Sequence, residues 1–76
     1  MTSNIVVDAR GSHCPGPLME LIAVIRDARA GDTIELLSAD PGSRTDVPIW
    51  VHNARHSLID VEDLEDCTRF TIRVEV

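Results

Sequence analysis

Along the chain the spacing of apolar positions switches repeatedly between two periods, and each switch predicts an element. Ile5-Val6-Val7 is a short β-branched run closed by Asp8, and reads as a first strand. Gly11 to Pro17 is a loop rich in helix and strand breakers. Leu18, Leu21, Ile22 and Ile25 then fall at i, i+3, i+4 and i+7, one face of a helix. That helix is expected from about Pro15 to Ala30, with Gly31 as its C′ residue in the left-handed conformation. Thr33 to Ser38 reads as a second strand, followed by a turn at Asp40-Pro41-Gly42.

Val47, Trp50, Val51 and Ala54 repeat the helical spacing. Two starts fit this second helix. Ser43 with Asp46 resembles a capping box but leaves Pro48 inside the helix, where it removes a hydrogen bond. A start at Asp46 puts Pro48 in the first turn, and a first turn loosened around Pro48 is the favoured reading. Leu58 to Val61 suggests a third strand. In the last segment Phe70, Ile72, Val74 and Val76 alternate with Arg69, Thr71, Arg73 and Glu75, a strand with one buried and one wet face.

The order is therefore βαβαββ, and residues 1–76 are expected to form one domain. Right-handed crossovers put both helices on the same face of a four-stranded mixed sheet. The predicted fold class is α/β, a two-layer α/β sandwich. The polar side of the last strand agrees, because a second helical layer would demand apolar residues there.

Composition narrows the function. A chain this short buries only about 60% of the surface that it exposes when unfolded, so its chemistry belongs on the surface. Trp50 and Phe70 are the aromatic residues, which leaves the core aliphatic. The net charge is −6 and there is no lysine, a poor platform for nucleic acid, which needs a clustered basic face. An acidic surface favours partners with basic patches. Cys14 and Cys67 form no CxxC pair and, with distant histidines, no recognisable zinc set. The first residues lack a signal-peptide pattern, and no stretch is long enough to span a membrane. The expected compartment is the reducing cytoplasm, where a disulfide framework is not expected.

The informative segment is Arg10-Gly11-Ser12-His13-Cys14-Pro15-Gly16-Pro17. Cys14 falls where a helix N-cap belongs, with Pro15 at the favoured first helical position. The unpaired N–H groups and partial positive charge of a helix start both favour thiolate over thiol. Cysteines so placed titrate well below their usual pKa of about 8.5. Pro15 and Pro17 have no N–H, so Gly16 and Leu18 are the expected backbone donors for sulfur. Gly16, without a side chain, is expected to leave an open approach for another protein's sulfur. The competing reading makes Cys14 a buried apolar filler; the double-proline helix start argues against it. Cys67, after Glu65-Asp66, sits in an acidic context that should raise its pKa.

These residues resemble the TusA/SirA-like sulfur-carrier family. Its CPxP box is present as Cys14-Pro15-Gly16-Pro17, preceded by Asp8, Arg10 and Gly11. A second signature resembles Asp40-Pro41-Gly42-Ser43 followed by Asp46-Val47-Pro48-Ile49-Trp50, and His56 also fits. The resemblance implies the same two-layer βαβαββ fold. It also implies a cysteine that takes sulfur from a donor as a persulfide and passes it to an acceptor. Such carriers serve tRNA thiolation, molybdenum-cofactor synthesis or sulfur oxidation, beside rhodanese-like, DsrE-like or cysteine desulfurase partners. No metal or organic cofactor is implied. Where the family usually has Lys or Arg early in the first helix, this chain has Ile22 and Ala23, and only Arg26 remains. His13 stands where Arg is common before the cysteine. A glycine is common before the histidine, and Arg55 replaces it, so that turn is expected to differ.

Other residues have plainer readings beside functional ones. His13 could hold the Cys14 thiolate if protonated. His52 and His56 have a metal-capable i, i+4 spacing but no evident third ligand, which favours a solvated face. Asp40 and Asp46 read as turn and cap residues, and Trp50 as core. Arg10 and Arg26 could steer a partner's acidic loop. The leading function is a sulfurtransferase-type sulfur carrier acting through Cys14. The alternatives are a non-catalytic interaction or regulatory module and, disfavoured by charge, a nucleic-acid binder.

Overall fold

The computed structural model describes residues 3–13 and 15–76. Six elements follow in the expected order: β1 (Asn4–Asp8), α1 (Gly16–Asp27), β2 (Thr33–Ser38), α2 (Ser43–Asn53), β3 (Ser57–Asp63) and β4 (Thr68–Arg73). The strands form one mixed sheet in the order β1-β2-β4-β3. β1 runs parallel to β2, and β4 pairs antiparallel with both β2 and β3.

Alternation along the two central strands builds the core. Ile34, Leu36 and Ser38 of β2, and Thr68, Phe70 and Ile72 of β4, are buried on one face. Against them pack Pro17 and Leu21 of α1 and Ser43, Val47 and Val51 of α2, residues one helical turn apart. The opposite face carries Arg69, which bridges Glu35 and Glu62, beside the exposed Val6. That division is the two-layer sandwich.

The elements differ from the sequence expectation at their ends. α1 begins at Gly16, one residue later than expected, because the carbonyl of Pro15 accepts the N–H of Met19 and so makes Pro15 the N-cap. It stops at Asp27, since Ala28 is already extended. Gly31 does have a left-handed φ of 96°, yet it is no C′ residue: it belongs to the separate turn before β2, in which Asp32 N–H meets the carbonyl of Arg29. α2 begins at Ser43, not near Asp46, and carries Pro48 inside. Its entry is set by an Asx turn, Gly42 N–H donating to Asp40 Oδ1 at 2.9 Å, and by buried Ser38 and Ser43 hydroxyls 2.7 Å apart. β3 is longer than expected and bulges between Leu58 and Asp60. The extra residue changes the phase, so Leu58 opposite Ile72 packs at the margin of the core, while Val61 opposite Phe70 stays exposed on this edge strand. Val76, predicted to point inward, is exposed.

Asp32 closes the end of the sheet near Ser3. Its carboxylate accepts the backbone N–H groups of Ser3 and Arg29, both at 2.9 Å, while Gly31 N–H and the carbonyl of Asp32 bond Val74. These bonds hold the Asp32 carboxyl below its ordinary pKa of 3.8.

Candidate functional site

Three loops gather at the other end of the sheet. The register sets Asp8 beside Leu37, and Ser38 and Asp63 beside Thr68. The residues from Ala9 to His13, the turn after β2 and the β3–β4 loop therefore share one rim. Cys14 itself lies outside the described residues; in sequence it directly precedes the N-cap Pro15.

The described residues around it are tightly tied. Ser12 N–H donates to the carbonyl of Ala9 at 3.1 Å, and Gly16 N–H to the carbonyl of His13 at 2.6 Å. Gly16 N–H, expected to face the sulfur, is thus spent inside a turn. Gly16 also has a different reason to be glycine than an open approach. A Cβ there would stand 2.9 Å from the Cβ of Ser12, so the loop itself fills that space. Pro17 occupies the second helical position and is buried. His13 and Pro15 are exposed on this rim.

Arg10, read from the sequence as a docking cation or a solvated surface residue, is tied into the rim by ion pairs. It bonds Asp8 through both Nε and Nη2 and reaches Asp66 in the β3–β4 loop at 3.3 Å. The guanidinium bond holds the Asp8 carboxyl down at about 2. Arg26 lies exposed in the last turn of α1, more than two turns from Gly16.

Cys67 borders a shallow cleft of about 250 Å³ that Ser38, Asp40, Arg44, Asp63 and Asp66 also line. Burial first, and then the adjacent Asp66 carboxylate, push the Cys67 thiol up, so it is a weak nucleophile. His56 lies past the end of α2, its Nδ1 accepting the Glu75 N–H at 3.1 Å and its ring tilted against Trp50. His52 and His56 are therefore not a pair on one helical face. Trp50 is half-buried at the margin of the core. Among the described residues no group of three potential ligands could hold a metal, and no helix is long and apolar enough to cross a membrane.

Sequence reasoning gave no role to Ser12 or Glu20, and tied Asp66 to Cys67 but not to Arg10. Ser12 donates its hydroxyl to Glu20 Oε2 at 2.6 Å. The i, i+4 spacing of Gly16 and Glu20 was the available signal; Asp66 had none, because only the strand register brings it to Arg10.

Residues 5–76 match the family described as Sulfurtransferase TusA. A protein of Archaeoglobus fulgidus, named as a candidate sulfur carrier protein, is 46% identical over 69 residues, 91% of this chain and 94% of the relative. A second from that organism is 32% identical over 69 residues, 90% of each chain. The sulfur carrier protein TusA of Pseudomonas putida strain GB-1 is 32% identical over 62 residues, 82% of this chain and 78% of the relative.

Proposed function

The chain belongs to the sulfurtransferase TusA family of sulfur carriers, and from that premise we propose that it carries a sulfane sulfur as a persulfide on Cys14. The Cys14 thiolate attacks the outer sulfur of a donor persulfide. A new S–S bond forms as the donor's S–S bond breaks, and the donor thiolate leaves. An acceptor thiolate then takes the outer sulfur and regenerates the Cys14 thiolate, with no net redox change. The Leu18 N–H and the positive end of α1 favour the thiolate, and His13 and Pro15 border it. Gly16 admits Ser12 against the helix and so keeps the loop compact, while Pro17 seats the helix start in the core. Arg10 and Arg26 take part in docking, Arg26 as a cation and Arg10 within a cluster that Asp8 and Asp66 leave net acidic.

The observation that carries this reading is the tight loop that ends at the N-cap of α1 and has a cysteine immediately before the cap. The partners are donor and acceptor proteins of the rhodanese-like, DsrE-like or cysteine desulfurase kinds, met in the cytoplasm. Incubation with a persulfide donor should add one sulfur atom, about 32 Da, to Cys14. The adduct should be missing in Cys14→Ser. Absence of an adduct from every donor tried would refute the proposal.

A further inference from the structure

We propose that Glu20, acting through Ser12, is a positioning residue for Cys14; this rests on the carrier reading above. Gly16 and Glu20 are one turn apart and therefore lie on the same face of α1. Ser12 lies along that face. Its Cβ occupies the notch left by the missing side chain of Gly16, and its hydroxyl reaches Glu20 at 2.6 Å. That distance is typical of a hydroxyl donating to an ionised carboxylate, about twice as strong as a neutral pair. The contact is partly buried, which limits competition from water.

The consequence falls on the residues flanking position 14. Ser12 is bound to the body of the helix, and His13 is bound through its carbonyl to Gly16. Position 14 lies in sequence between those anchors, so the clamp fixes the chain on both sides of it. Glu20 touches neither donor nor acceptor in this scheme; it acts by holding the loop in register with the helix start.

Reaction of the intact protein with iodoacetamide, read at Cys14 by peptide mass spectrometry, tests this across about pH 5 to 9. Ser12→Ala and Glu20→Ala should each slow Cys14 alkylation at neutral pH about fivefold, well inside the hundredfold that a 1 Å misplacement can cost. Each should move the midpoint of the pH profile upward. Glu20→Gln keeps an acceptor for the hydroxyl and should recover most of the rate. The double variant Ser12→Ala/Glu20→Ala should be no slower than either single one, and Cys67 should react at an unchanged rate in all. Urea unfolding of each variant separates a lost fold from a displaced loop. A Ser12→Ala profile like the parent's, a Gln variant as slow as the Ala one, or multiplying effects in the double variant would overturn the assignment. Alkylation needs no sulfur donor. A parent protein that takes no sulfur therefore sinks the carrier reading while leaving the clamp result to stand.

Discussion

The turn after α2 offers a direct test of how a side chain is tolerated in an unfavourable backbone conformation. Arg55 has a φ of 68°. It is the C′ residue of a Schellman motif, because His56 N–H bonds the carbonyl of Val51 and Arg55 N–H that of His52, both at 3.1 Å. For an L-residue the left-handed region costs about 1–2 kcal/mol, which glycine avoids. Glycine returns about 0.5–1 kcal/mol of this through its freer unfolded chain. Removing a cation from the negative end of a helix costs a further 0.3 kcal/mol or so. Arg55→Gly should therefore stabilise the domain by about 0.5 kcal/mol, equivalent to a Tm rise of about 2–4 °C at this size. Arg55→Ala loses the same charge without relief of the backbone, so it should lie about 1 kcal/mol below the glycine variant. Urea unfolding followed by the fluorescence of Trp50, the sole tryptophan, measures both differences. Alanine equal to or more stable than glycine would refute the reasoning.

Further expectations concern the loop, the core and the titrating groups. Gly16→Ala should cost about 1 kcal/mol by overpacking against Ser12, and Ser12→Gly in the same chain should restore most of it; unfolding midpoints decide. Leu21→Ala, at a fully buried site, should remove about 3 of the roughly 4–11 kcal/mol that a domain of this size holds, as read by urea unfolding. The depressed Asp32 pKa contributes stability that is complete above about pH 4 and lost as pH falls through the lower folded value. Asp32→Asn should accordingly be less stable than the parent at neutral pH, and its urea midpoint should fall less between about pH 5 and 3. Cys67→Ser should load sulfur like the parent, and Cys67 should alkylate more slowly than Cys14, which competitive labelling would show.

Most of the architecture was legible because periodicity and tertiary burial agree. Phe70 and Ile72 alternate as read, and Leu21, Val47 and Val51 lie inward as their spacing required. The misreadings fall where a single hydrogen bond or side-chain contact decides a boundary. The Asx turn and the serine hydroxyl pair start α2 before Pro48 could be felt as a breaker. The β3 bulge hid the phase of Leu58 and Val61, since an inserted residue destroys strict alternation. Glycine before His56 was expected to matter, and its replacement to alter the turn; instead Arg55 adopts the left-handed conformation itself. An arginine carries no local signal for that. At the site, the cysteine between a glycine-bearing loop and two prolines was readable, whereas the Ser12–Glu20 and Arg10–Asp66 ties needed three dimensions.

The bonds that join Ser3, Asp32 and Val74 place both described ends of the chain on the side of the sheet away from the rim that holds His13 and Pro15. A strand of six residues separates the two sides, about 20 Å. A tag, a surface linker or a neighbouring domain attached at either end would thus join the fold a strand's length from the reactive loop. The module can be tethered without being masked.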